Sequence, residues 1–496
     1  MMYSLGIDVG TSALKAALFD ETGTALSSSA KEYELLCPCG GYAEQRPEDW
    51  WLACCSAIKT VLKHAEVRPE QIAAVGLSGQ MHGLVMLDKN GAVLRNSILW
   101  CDLRTQPQCE EIERTVGKER LVEITANRAA AAFTAAKLLW VRSNEEHIYD
   151  KCSHIMLPKD YIRYRLTGEI ATDVSDAGGT QLLDVEKRTW SGEVADKLHI
   201  DKSLLPKVYE SVEISGLVSR TASEATGLSI GTIVVAGGGD NACSAIGTGV
   251  CSDGKAFTTI GTSGVVFVHT SKMLRDKEGR MHTFCAAVPN EWHVMGVTQA
   301  AGLSLKWFCE NFCEGEKARA ASLGEDIYAL TDALAAASPI GARGVLYLPY
   351  LNGERTPHFD TAVRGAFLNI GADTERGDFI RAVMEGVAFS LRDCIEVLRA
   401  SGADIRDMAV CGGGAKSALW RQIIASNYKC PLKRTTSSEG GALGAAILAL
   451  VGAGAYKNVA EGCESCIRVK DETKPLCADE YEPYYAKYTA GYKRVK

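Results

Sequence analysis

YSLGIDVGTSALKAALFD, residues 3 to 20, reads as a strand over 3 to 9, a tight polar turn, and a second strand that ends at the turn ETG. The strands form a β-hairpin with Gly10, Thr11 and Ser12 at the bend and Asp8 just before it. A glycine-hydroxyl loop turns backbone N–H groups and hydroxyls toward phosphate oxygens, while a nearby carboxylate holds a Mg²⁺ ion, directly or through water. Alone, the stretch reads first as an ordinary hairpin. Its weight comes from a second copy: AFTTIGTSGVVFVHT, residues 256 to 270, repeats the plan of strand, Gly261-Thr262-Ser263-Gly264, strand. Two copies about 250 residues apart imply two related halves whose phosphate loops face each other across a cleft, which clamps a triphosphate.

VVAGGGDNACSAIGTG, residues 234 to 249, precedes the second copy. The β-branched run Ile233 to Val235 reads as a buried strand, three glycines break it, and Asp240 and Asn241 follow on the break. Glycines let backbone and ligand approach closely, so Asp240 is either a general base or the cap of a following helix. Residues 72 to 88 (IAAVGLSGQMHGLVMLD) read as strand, break and strand, with Gln80, Met81 and His82 on the break, facing either a ligand or local packing. Trp100 and Asp102 end another apolar run, and an aromatic face beside a carboxylate suits a sugar.

Residues 127 to 167 read as helix, loop and helix, with Lys159 and Asp160 of LPKD at a helix start in a structural role. The glycine-rich segment 172 to 184 reads as a surface loop, or as a lining of the first half's cleft face, and 297 to 312 as a helix. Residues 347 to 360 form a loop stopped by Pro349 and Pro357, and 377 to 400 one long helix with an apolar side. A strand, three glycines and a helix over 408 to 428 suit a nucleotide, because a flat ring or ribose can approach backbone there. SSEGGALGAAILAL reads as a small-residue helix that closes the second half.

A chain of 496 residues exceeds one core, and 46% hydrophobic with 23% charged residues is ordinary globular composition. A net charge of −7 without a basic block argues against nucleic acid. Asp8 near the start and the lack of any 18-residue apolar run lead us to expect neither secretion nor a membrane span. The scatter of 18 cysteines suits reduced thiols in the cytoplasm, and Cys463 and Cys466 lack the further ligands of a structural zinc. Residues 451 to 496 either cap the second half or form the contact of a homodimer.

The motifs GIDVGTS, GQMHG, ILWxD, FTAAKLLWV, LPKDYIRYRLTGE, SDAGGT, AGGGDNA, GTSGV, LPYLNGERTPH and GGGAKS, in this order over residues 3 to 450, resemble the FGGY carbohydrate kinases of the actin-like ATPase superfamily. The resemblance implies an α/β fold of two ribonuclease H-like domains, mixed sheets flanked by helices, over residues 1–247 and 248–496 with the catalytic cleft between them. It implies phosphoryl transfer from ATP with Mg²⁺ to a small sugar, with D-xylulose expected and another ketose or polyol, such as ribulose, the alternative. A nucleotide-dependent sugar sensor without transfer chemistry is a further alternative. By resemblance Asp240 is the base and Asp8 the essential carboxylate near Mg²⁺, reached through water. Met81, His82, Trp100, Asp240 and Asn241 line the sugar site. Thr11, Ser12, Lys15, Thr262, Gly413 and Gly414 hold the nucleotide. Two departures stand out: Cys101 where the family has asparagine, which bears on sugar choice, and Ala132 where a glycine precedes FTA.

Overall fold

The structure is a computed structural model describing residues 2–437 and 439–496; Met1, and Ser438 in the stretch SSEGGALGAAILAL, lie outside the described residues. The first half begins with β1 (Tyr3–Val9), β2 (Ala13–Asp20) and β3 (Ala25–Glu32), an antiparallel meander. Helix α1 (Pro47–Ala65) leads to β4 (Ile72–Gly79), parallel to β1. Helices α2 (Thr134–Asn144) and α3 (Pro158–Thr167) follow, then β5 (Ile214–Leu217), β6 (Ile233–Val235), the two-residue β7 (Gly238–Gly239) and α4 (Asp240–Gly247). The strand order is β5-β6-β4-β1-β2-β3, with β7 also paired to β4.

The second half repeats this plan. Strands β8 (Gly254–Ile260), β9 (Gly264–Thr270), β10 (His282–Cys285) and β11 (Trp292–Thr298) are followed by α5 (Gly302–Phe312) and α6 (Arg376–Ala400). Then come β12 (Ile405–Cys411), α7 (Ala418–Tyr428), β13 (Leu432–Thr435), α8 (Gly440–Gly452), β14 (Val469–Thr473) and α9 (Ala478–Val495). The order β14-β13-β12-β8-β9-β11-β10 sets an antiparallel meander beside parallel β8, β12 and β13, with an antiparallel outer strand, as in the first sheet. This is the expected pair of ribonuclease H-like mixed sheets, and each GTS is a three-residue bend closing its hairpin. Gly10 N–H donates to Ala13 C=O at 3.0 Å, and Gly261 N–H to Ser263 C=O at 3.1 Å.

Alternation explains how β1 packs. Leu5, Ile7 and Val9 are fully buried in one cluster with Trp50, Ile58 and Val61 of α1. The opposite face is so close to α8 that a Cβ on Gly6 would lie 1.9 Å from Ala442 O, and one on Gly76 of β4 would lie 1.9 Å from Ala445 O. Helix α8 also crosses α4 at Gly444, where a Cβ would come 1.8 Å from Cys243 O. The helix expected to close the second half therefore lies against the first sheet. Its small residues on two sides let its backbone approach both the sheet and α4.

Two other readings are corrected and a third is sharpened. Residues 292 to 298 are strand, with a helix only from Gly302, because Ala301 N–H (2.9 Å) and Leu303 N–H (3.2 Å) bond the Thr262 carbonyl and turn the chain there. The segment 172 to 184 is buried throughout and is no surface loop. LPKD is structural as expected, but its Lys159 and Asp160 are wholly buried ion partners. In α6 the expected apolar positions, from Ile380 to Leu398, are buried. Of the alternatives for the C-terminus, capping of the second half is observed. Tyr481 and Tyr488 of α9 enter its core, and the Tyr488 hydroxyl lies 3.2 Å from that of Tyr350.

Candidate active site

Asp240 is the first residue of α4, and Gly239 holds the cap position. The cap reading fails, because the carboxylate accepts from its own neighbour: Oδ1 takes Asn241 N–H at 2.7 Å and Asn241 Nδ2 at 3.0 Å. Burial, with Asp8 as the nearby like charge, pushes the Asp240 carboxyl up to about 7. A carboxylate so poised ionises near neutrality, as a general base requires. The glycines before it are needed for packing, since a Cβ on Gly239 would meet Met81 Cγ at 2.9 Å.

Asp8 sits near the end of β1, where Ser78 Oγ donates to its Oδ1 at 2.8 Å. Its Oδ2 faces the start of α8, and a Cβ on Gly441 would lie 2.9 Å away. Burial raises the Asp8 carboxyl, which Ser78 and Lys15 partly offset. Lys15 is engaged by Glu439 at 2.6 Å, just before α8. Two carboxylates in one desolvated region suit a divalent cation. Among the described residues no group of three or more His, Cys, Asp or Glu is placed to hold one. A divalent cation placed beside these two carboxylates would need further oxygens from phosphate and water.

His82 adopts a left-handed backbone (φ 72°), unusual for a non-glycine residue. Its carbonyl is clamped by Lys137 Nζ and Thr134 Oγ1, each at 3.0 Å, and Lys137 also reaches the Ala132 carbonyl. Burial brings the Lys137 ammonium down to about 7, although Asp102 and Cys101 oppose the shift. The His82 ring meets the Gly179 carbonyl through Nδ1 at 2.8 Å and packs edge-on to Phe133, with Phe284 of the second half beyond. Since a carbonyl only accepts, Nδ1 carries the proton and Nε2 is the ring's acceptor. Burial and Lys137 hold His82 well below its usual pKa, so the ring is neutral.

Trp100 is 39% exposed and donates its indole N–H to Thr11 Oγ1 at 2.9 Å, bringing the expected sugar-lining residue against the first GTS bend. Thr11 in turn lies 3.3 Å from Gln80 Oε1. Asp102 is not part of a sugar pocket: it is buried and taken up by Arg104 Nη2 (2.7 Å) and Ala43 N–H (2.6 Å). Cys101 beside it is half-buried.

Ser12 is exposed at its bend, as is Thr262 at the second. Gly412 and Gly414 are glycines for packing, because Cβ atoms there would come within 2.7 Å and 2.4 Å of Ile260 atoms. A Cβ on Gly413 would meet nothing, so of the expected pair only Gly413 is open to a ligand. Gly412 and Gly414 thus pack against Ile260, which directly precedes the second GTS bend. Sequence reasoning missed Ser78, Glu439, Gly441, Lys137, Gly179 and Phe284. Lys137 and Gly179 lie inside the quoted FTAAKLLWV and SDAGGT, whereas Phe284 sits in an unremarkable strand.

Residues 3–247 match the FGGY family of carbohydrate kinases, N-terminal domain, and residues 256–453 match the C-terminal domain of that family. The xylulose kinase of Bacillus subtilis (strain 168) is 40% identical over 468 residues, 94% of this chain and 92% of that one. The crystal structure of a xyloylose kinase from Brucella ovis superposes with a TM-score of 0.91 at 34% identity, covering 99% of both chains. That of a gluconate kinase from Lactobacillus acidophilus gives 0.91 at 25% identity over the whole of both chains. With both domain matches in place and a relative 40% identical over nearly the whole chain, the chain belongs to the FGGY family of carbohydrate kinases.

Proposed function

We propose that this enzyme transfers the γ-phosphoryl group of ATP to the 5-hydroxyl of D-xylulose, giving D-xylulose 5-phosphate. The observation that carries the catalytic part is Asp240, a carboxylate with a pKa of about 7, next to Asp8 and directly after Gly239, whose backbone lies against Met81. The curated relatives named xylulose kinases support the sugar. Magnesium ATP supplies the phosphoryl group and neutralises its spreading charge. Asp8 would stand beside the metal, through water. Thr11, Ser12, Lys15, Thr262 and Gly413 would hold the nucleotide, with Gly414 shaping the turn. A sugar hydroxyl is far too weak an acid to ionise at neutral pH, so Asp240 accepts its proton as the O–P bond forms. Met81, His82, Trp100 and Asn241 orient the sugar. Residues 1–247 would carry sugar and base and residues 248–496 the nucleotide, with closure excluding water. Eighteen free thiols favour a reducing, cytoplasmic setting.

The test is ADP release with D-xylulose, D-ribulose, gluconate and glycerol in turn. The highest kcat/KM belongs to D-xylulose; a faster reaction with another substrate moves the assignment to that one, and no sugar-stimulated ADP release removes catalysis. His82→Ala is expected to raise the sugar KM about tenfold or more, through loss of one hydrogen bond to substrate, with a smaller change in kcat. An unchanged sugar KM takes His82 out of the pocket.

A further inference from the structure

Asp240 follows three glycines, which have no side chain to restrain them, so something else must hold the backbone that aims the carboxylate. Pairing to Ser78 and Gly79 fixes one side of Gly238 and Gly239. On the other side Ser175 Oγ accepts the Gly239 N–H at 3.1 Å. The same hydroxyl donates to Asp173 Oδ2 at 2.5 Å.

Asp173 is itself immobilised. Its Oδ2 also accepts Ser175 N–H at 2.8 Å and Ser211 Oγ at 3.0 Å, and its Oδ1 lies 2.8 Å from Lys159 Nζ. These residues are buried. With its proton committed to Asp173, the Ser175 hydroxyl has only a lone pair to offer Gly239, and chains of this kind strengthen each link. Arg163 of the same cluster braces the preceding turn by donating Nη1 to Ala236 C=O at 3.0 Å.

We propose that Ser175 is a positioning residue for phosphoryl transfer: its hydroxyl, oriented by the buried Lys159–Asp173 pair, fixes the Gly239 N–H and so the place of the Asp240 carboxylate. This rests on Asp240 being the base. It distinguishes Ser175 from Ser211, whose hydroxyl donates to the same Asp173 oxygen but is not the acceptor of the Gly239 N–H.

The experiment compares kcat, both KM values and the melting temperature of the full chain for wild type, S175A, S211A and D240N, with D-xylulose and ATP. S175A is expected to lose about 30-fold in kcat with both KM values within about threefold, the signature of a misplaced group that binding does not sense. S211A should keep kcat within about threefold of wild type. A kcat for S175A within threefold of wild type overturns the proposal, and so do equal losses in S175A and S211A, which would mean a merely structural network. If S175A melts too low to assay, S175C takes its place: a weak thiol acceptor should lose about tenfold, and an unchanged kcat is again fatal. Activity retained in D240N instead removes the base assignment, a separate failure.

Discussion

Asp240→Asn lowers kcat by about three orders of magnitude or more, roughly 4 kcal/mol of transition-state stabilisation, while the sugar KM stays within about threefold. The amide keeps an oxygen for Asn241 N–H and Nδ2, so the start of α4 is preserved while proton acceptance is lost. Folding provides the control. An acid whose pKa is raised on folding binds its proton more tightly in the native state, so its ionised form opposes folding above neutrality. The neutral amide removes that opposition, and the variant should melt no lower than wild type at pH 8. For wild type, kcat/KM should climb with pH through about 7 as Asp240 ionises. A variant within tenfold of wild type, or a pH profile flat between 6 and 8, defeats the assignment.

The parts of this site that were legible in the sequence are those where local chemistry and chain order coincide. The two GTS bends announce themselves because a strand, a glycine and two hydroxyls recur in the same order, and the duplicated sheets follow from that repeat. Asp240 was visible because three glycines isolate it, yet its choice between cap and base needed the hydrogen bond to Asn241. Helix α8 was misread because small residues state only that something packs closely. That the partner is the first sheet depends on Gly6 and Gly76, more than 350 residues away. The segment 172 to 184 looked like a surface loop because it is polar and glycine-rich. Asp173 and Asp176 are buried there because Lys159 comes from another element to meet them. Such pairing is a property of the fold, and no spacing along the chain encodes it.

Lys159→Met is expected to destabilise the first half by about 3 to 5 kcal/mol, seen as a lower denaturant midpoint of its unfolding transition. Lys159 Nζ lies 2.6 Å from Asp160, 2.8 Å from Asp173 and 3.3 Å from Asp176, with every one of these side chains fully buried. Arg163 adds a second cation 2.9 Å from Asp160. Burial pushes the Asp176 carboxyl well up, and Lys159, 3.3 Å away, only partly offsets it. Two cations, Lys159 and Arg163, thus face Asp160, Asp173 and Asp176, the last of which burial biases toward its protonated form. Burial alone would strip the Lys159 ammonium of its proton, but the surrounding aspartates outweigh it and hold its pKa above the usual value. Methionine fills similar volume and removes one cation, stranding a carboxylate where water cannot reach it. That carboxylate's folded pKa then rises above its unfolded value, so the deficit should shrink as pH falls from 8 to 5 and the group takes up a proton. Asp176→Asn, which mimics the protonated form that burial favours, should change stability by less than about 1 kcal/mol. A Lys159→Met protein as stable as wild type at pH 8 would mean the cluster is not charge-balanced through this lysine. A loss independent of pH would trace the effect to packing instead.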